Sequence, residues 1–130
     1  MILPIVAYGD PVLKKKAAPI EKTHPNLKKL ISDMWETMYA AQGVGLAAPQ
    51  IGESIRLFIV DGSPFANDKS IDNIEQRELR IFKKVFINPE ILSFSGPQEA
   101  FNEGCLSIPD IREDVTRLTT IKISYYDENF

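Results

Sequence analysis

The spacing of hydrophobic positions changes character once along the chain. Over Asn26 to Gln42, the residues Leu27, Leu30, Ile31, Met34, Trp35 and Met38 recur at the i, i+3, i+4, i+7 interval that lines one face of a helix, with Lys28, Lys29, Asp33 and Glu36 elsewhere. Thr23 to Asn26, with Pro25, supplies the start signal and Gly43 the stop. The stripe from Leu27 to Met38, Trp35 included, is expected against a sheet, with Lys28, Lys29 and Glu36 wet. Downstream the pattern is that of strands and turns. Ile55 to Val60 is short, apolar and rich in β-branched residues, and Lys84 to Asn88 is similar but closed by Pro89. Ile91 to Ser95 alternates, and Gly96-Pro97 is expected to turn the chain into Gln98 to Phe101 as a hairpin partner. Thr119 to Tyr126 alternates again. Between Asp61 and Lys84 the composition turns polar, predicting a surface excursion with a short helix from Ile74 to Phe82.

These elements predict an α+β fold of mostly antiparallel sheet packed around a helix, as a single domain over residues 1–130. One short helix is thin cover for five or six strands, so a further covering element is expected after Phe130. Composition adds limits. At 44% hydrophobic and 25% charged residues the chain is an ordinary globular one, and 15 basic against 18 acidic residues leave a net charge of −3. That balance argues against a strongly electrostatic nucleic-acid or membrane partner. No run approaches about 18 apolar residues, and the start lacks a signal-peptide pattern, so the cytoplasm is the expected compartment. One cysteine, Cys105, and one histidine, His24, exclude an intrachain disulfide and a zinc finger.

Two stretches carry candidate chemistry. Gly43-Val44-Gly45-Leu46-Ala47-Ala48 formally fits the dinucleotide fingerprint, but it follows a helix and Pro49 blocks the helix that a phosphate would need. A helix cap plus a tight turn explains the glycines equally well and leaves Gln50 unexplained. Within Glu103-Gly104-Cys105-Leu106-Ser107-Ile108-Pro109, the cysteine reads either as a small buried hydrophobe or as a thiolate needing a positive neighbour or a metal. Arg112 and Arg117 are the nearest positives in sequence. His24, at the start of the helix, reads as a surface or capping residue.

Taken together the two stretches resemble a known family. Gly43 to Gln50 resembles the first signature of peptide deformylases, Glu103 to Ser107 resembles the second, and Pro4-Ile5-Val6 with Gly9-Asp10-Pro11-Val12-Leu13 resembles the family's start. The family's third signature, H-E-x-x-H on a C-terminal helix, is absent from these residues. The resemblance therefore implies a chain incomplete at its C-terminus, with the missing cover and the missing catalytic helix as the same piece.

The resemblance implies a metallohydrolase that removes the formyl group from N-formyl-methionyl nascent peptides, with the ribosome as a further partner of the full-length protein. Fe(II) is the implied metal, replaceable by nickel or zinc, with Cys105 as a ligand and two histidine ligands missing. Gln50 and the backbone N–H of Leu106 would donate to the developing oxyanion. Val44 and Gly45, with Gln50 and Leu106, would bind the substrate, and Glu103 with Arg112 would form a supporting pair. The chain alone is then expected to be inactive. The competing reading is a non-catalytic deformylase-like fragment that binds a peptide or partner; a third makes Cys105 a redox-sensitive thiol.

Overall fold

The apolar stripe folds as helix α1 (Leu27–Ala40) in the computed structural model, which describes the backbone of residues 1–130 and all side chains but those of 101, 102 and 108–111. Met34 and Met38 are fully enclosed, with Leu27 and Ile31 buried beside them; Leu30 and Trp35 are only half-buried. The reason is rotational. Leu27, Ile31, Met34 and Met38 follow one another at intervals of three and four, whereas Trp35 sits one step round the helix. Its ring stacks on that of Tyr39, centroids 5.9 Å apart, and carries the Lys83 ammonium 4.7 Å from its centre.

Polar residues widen the buried face instead. Thr37 Oγ1 donates to the Asp33 carbonyl (2.7 Å) and accepts from the N–H of Leu3 (2.8 Å), which lays the N-terminal segment against α1. The Asp33 carboxylate takes Lys29 Nζ and the Met1 amine, each at 2.9 Å, and the amine also reaches Glu36. The bond from Lys29 first, and that from the amine second, hold Asp33 below the ordinary carboxylate range.

Strands β1 (Gly45–Ala47), β2 (Leu57–Asp61), β3 (Lys83–Cys105) and β4 (Ile108–Tyr126) form one curled antiparallel sheet in that spatial order. The fold is α+β, as the pattern predicts. Alternation along β2 buries Leu57, Ile59 and Asp61. Leu57 and Ile59 join Leu46, Val85, Ile87, Ile20 and the apolar residues of α1 in one core cluster. Each such side chain contributes about 1.5–3 kcal/mol on full burial, so this helix-on-sheet contact outweighs local propensity. On the opposite face Phe58 stacks on its direct partner Phe86 (4.5 Å), which meets Tyr125 (4.4 Å).

The strands expected as separate pieces are one. Pro89 and Gly96-Pro97 do not end strands; they sit at irregularities within β3, where the register against β4 shifts between Ile87 and Glu90 and again between Ser95 and Gln98. Each shift sets two β3 residues against one on β4, the arrangement of a bulge, which accommodates a residue without an N–H. Asn88 takes a left-handed conformation (φ 50°) at the first, and its carboxamide grips the backbone of Ile20 through Oδ1 (2.7 Å) and Nδ2 (2.8 Å). Gly96 (φ 84°) serves the second. The turn of the long hairpin falls later, at Leu106-Ser107, and β4 starts well before Thr119. Ile91, Leu92, Phe94 and Ile121 are exposed along its outer part.

Helix α2 (Asn73–Ile81) lies between β2 and β3, capped by Asp72, whose side chain accepts from the N–H of Glu75 (2.8 Å). None of its residues is buried.

Candidate active site

Helix α1 ends in a Schellman arrangement: the N–H of Gly43 reaches the Met38 carbonyl (2.9 Å) and that of Gln42 reaches Tyr39 (3.0 Å). The left-handed residue is Gln42 (φ 57°), not the expected Gly43. The need for glycine at 43 comes from elsewhere, because Leu106 Cδ1 lies only 2.7 Å from where a Cβ would stand. The tips of the two signature stretches therefore touch.

From Gly43 the chain passes through Val44, half-buried, into β1, the edge strand of the sheet, which pairs with β2 from Gly45 opposite Val60 to Ala47 opposite Phe58. A Cβ on Gly45 would come within 3.3 Å of the Ile59 carbonyl. A single 3₁₀ turn, Ala48–Ile51, with Pro49 as its second residue, then folds Gln50 back on the strand it follows. Gln50 Oε1 accepts from the N–H of Ala47 (2.9 Å), and Nε2 faces Cys105 Sγ (3.5 Å) and Ser107 Oγ (3.3 Å).

Cys105 closes β3 and is exposed, Leu106 is half-buried, and Ser107 is buried. The two-residue turn at Leu106-Ser107 places Cys105 and Ser107 beside Gln50 and Leu106 against Gly43. Glu103 accepts from Arg117 Nε (2.7 Å) and Nη2 (2.9 Å), a bidentate pair that holds the Glu103 carboxyl below its usual range. The Arg112 side chain lies over Gly104, its Nη1 2.8 Å from where a Cβ would be. His24 lies apart, lining a cavity of about 550 Å³ with Lys22, Lys28, Lys29 and Phe130 that contains none of the residues of either signature.

Three contributions to the site, the pairing of Arg117 with Glu103 first, carry no signal in the sequence. Arg117 grips Glu103 although the hairpin register sets Arg117 opposite Glu99 and Arg112 opposite Gly104, so this bond follows from side-chain reach along the curled strands and not from register. Ser107 stands inside the second signature without a role suggested by its type. The N-terminal segment supplies the third: the N–H of Val6 donates to the Gln50 carbonyl (2.8 Å) and that of Tyr8 to the Ser107 carbonyl (2.9 Å). Two residues of one extended strap thus bond to both signature stretches, through backbone groups that leave no mark on residue type.

The site can present donors. Gln50 offers an amide N–H₂ group, held from behind, beside a soft sulfur donor. It does not amount to a metal centre: among the described residues no three His, Cys, Asp or Glu side chains gather. Cys105 offers one donor where a three-protein-ligand site needs two more, so the residues present do not fit a complete site for the implied iron.

A curled antiparallel sheet clasping one helix, with a glycine-rich edge strand facing a cysteine-bearing hairpin turn, defines the class: an α+β fold of the deformylase kind. The chain belongs to the polypeptide deformylase family, whose model matches residues 2–130. A peptide deformylase of Christiangramia forsetii is 58% identical over 130 residues, all of this chain and 66% of the relative. The crystal structure of peptide deformylase from Thermotoga maritima superposes with a TM-score of 0.78 at 40% identity, covering 98% of this chain and 75% of that one. A Met-Ala-Ser-bound class I type b peptide deformylase from Acinetobacter baumannii gives 0.82 at 34% identity, covering 99% and 79%. The chain spans about two thirds of the length of the curated relatives it matches.

Proposed function

We propose that this chain carries the substrate-binding and oxyanion-stabilising part of a metal-dependent peptide deformylase that removes the N-formyl group from formyl-methionyl nascent peptides, bacterial enzymes of this kind being cytoplasmic. The observation that carries the reading is the placement of Gln50 Nε2 at 3.5 Å from Cys105 Sγ with Oε1 turned away toward Ala47. A donor so fixed can face the formyl oxygen as it gains charge without reorganising at that moment. The backbone N–H of Leu106, one residue beyond the sulfur, is the proposed second donor. Strand β1 lies at the sheet edge, so an extended peptide can add to it there, with Val44 lining the methionine pocket and Gly45 allowing close backbone approach. The tripeptide bound to the Acinetobacter relative supports a peptide as occupant. Glu103, tied to Arg117 and neighbouring Arg112, steadies the strand that bears Cys105.

Cys105 is the one ligand this chain contributes to the implied Fe(II), or to nickel or zinc in its place. Acidifying a water so that it attacks at neutral pH is the work of a metal, and the residues present do not complete its site. The chain alone is therefore expected to bind peptide without turning it over, the behaviour the non-catalytic reading also gives it; among the described residues no helix is long and apolar enough to cross a membrane. A ribosomal partner belongs to the same proposal, for the protein at full family length.

NMR titration of the chain with Met-Ala-Ser should shift the amides of Gly43 to Ala47 and of Cys105 to Ser107. Shifts confined to the His24 cavity would overturn the assignment. In a metal-loaded protein of full family length, Gln50→Ala should keep the metal and lower kcat by about 10²–10³-fold, whereas Cys105→Ser should lower metal content itself. Deformylation by the highly purified 130-residue chain, or full metal content in Cys105→Ser, would remove Cys105 from the ligand role. A protein of full family length that binds Met-Ala-Ser but neither holds metal nor deformylates would favour a peptide-holding module.

A further inference from the structure

Gln50 is restrained at each of its side-chain polar atoms and at its carbonyl. The carbonyl takes the Val6 N–H, Oε1 takes the Ala47 N–H, and Nε2 is left facing the Cys105–Ser107 turn. Its two amide protons lie in one plane, so a bond made by one fixes the direction of the other. Among the described residues the oxygen bonded to Nε2 is Ser107 Oγ, at 3.3 Å. Ser107 is 4% exposed, and its carbonyl is pinned by Tyr8, so its hydroxyl is a fixed reference that water does not readily replace.

We propose that Ser107 is a positioning residue whose buried hydroxyl sets the plane of the Gln50 carboxamide and aims its second Nε2 proton at the space beside Cys105 Sγ. The inference rests on the reading of Gln50 as an oxyanion donor and deepens it. Ala47 alone fixes only which end of the amide faces out, and leaves the group free to swing about that anchor. The Ser107 bond removes the swing. A donor already aligned contributes most in the transition state, so the role should be read in kcat and not in substrate affinity.

The test has two readouts. In ¹⁵N spectra of the chain, the Gln50 side-chain amide, assigned by its loss in Gln50→Ala, should sit away from the position of free glutamine amides. Ser107→Ala should move it toward that position, with backbone amides beyond residues 50 and 105–107 unchanged. An unmoved Gln50 amide in folded Ser107→Ala would overturn the proposal. If Ser107→Ala fails to fold, Ser107→Thr decides: it keeps the hydroxyl and should keep the wild-type Gln50 signal, and a shift to the free position would overturn it. In the metal-loaded protein of full family length, Ser107→Ala should lower kcat about tenfold with KM within about twofold and metal content unchanged, and Ser107→Thr should restore it. A raised KM at constant kcat would overturn the role. Should Gln50→Ala itself leave kcat intact, the oxyanion reading falls, and the Gln50 amide signal still decides whether Ser107 positions it.

Discussion

Leu106 Cδ1 occupies the space that a side chain at Gly43 would need, standing 2.7 Å from the missing Cβ. The contact joins the end of helix α1 to the tip of the β3–β4 hairpin. Gly43→Ala must therefore displace a leucine branch, which can rotate, and not the backbone. The expected cost is about 1 kcal/mol, at the low end for overpacking, with the Leu106 methyl resonances shifted. Unshifted methyls at unchanged stability would show that the two stretches do not touch in solution.

Gln42 holds the left-handed position that ends α1, a conformation costing a residue with a Cβ about 1–2 kcal/mol. Gln42→Gly relieves that strain but loosens the unfolded chain, so a net gain of about 0.5–1 kcal/mol is expected. Urea midpoints of the two proteins check it, and a loss would place the strain elsewhere.

Met38 and Trp35 separate the buried line of α1 from its flank. Met38→Ala empties space in the fully enclosed core and should cost about 2–5 kcal/mol. Trp35→Ala, half-buried against Tyr39 and Lys83, should cost clearly less despite removing more atoms. Chemical denaturation of both ranks them, and the reverse order would put Trp35 at the centre.

Tyr39 donates to Asp61 Oδ2 at 2.6 Å, and partial burial of the phenol, with that bond second, pushes its pKa up to about 12. An unfolded tyrosine ionises near about 10. Between these values the native state keeps a proton that the unfolded state has lost, so this contribution to stability is full below about pH 10 and falls as pH rises toward about 12. Tyr39→Phe should flatten that alkaline decline. It should also let the Asp61 carboxyl rise, since the same hydrogen bond is the main cause holding it below its usual range. Stability against pH for both proteins gives the answer; identical slopes above about pH 10 would refute the coupling.

Helix α1 was legible because six apolar residues share one period that no strand reproduces. The strand boundaries were not, because Pro89 and Gly96-Pro97 carry the same signal at a bulge as at a turn. Only the partner strand's register tells the two apart. Composition left Gln50 and Cys105 open between structural and chemical readings, and it was the order of two signatures that drew them together. Glu103 shows the limit most plainly: its bond with Arg117 joins residues that the strand register does not set opposite each other, which neighbouring residues do not encode. Val6 and Tyr8 act through backbone N–H groups, which every residue but proline possesses.

The strap that bonds Val6 to Gln50 and Tyr8 to Ser107 also fixes when the site can come into being. Helix α1 and the long hairpin close between near neighbours and can form in microseconds once their residues exist. Tyr8 and its partner Ser107 lie about three quarters of the chain apart. At about 5–20 residues per second of synthesis, the N-terminal segment waits on the order of ten seconds for Ser107 to emerge. The bonds that complete the site are thus among the last to form and, sitting on a terminal segment, among the first to open. A nascent copy has its helix long before it has a site, and a mature one can lose the site while keeping its core.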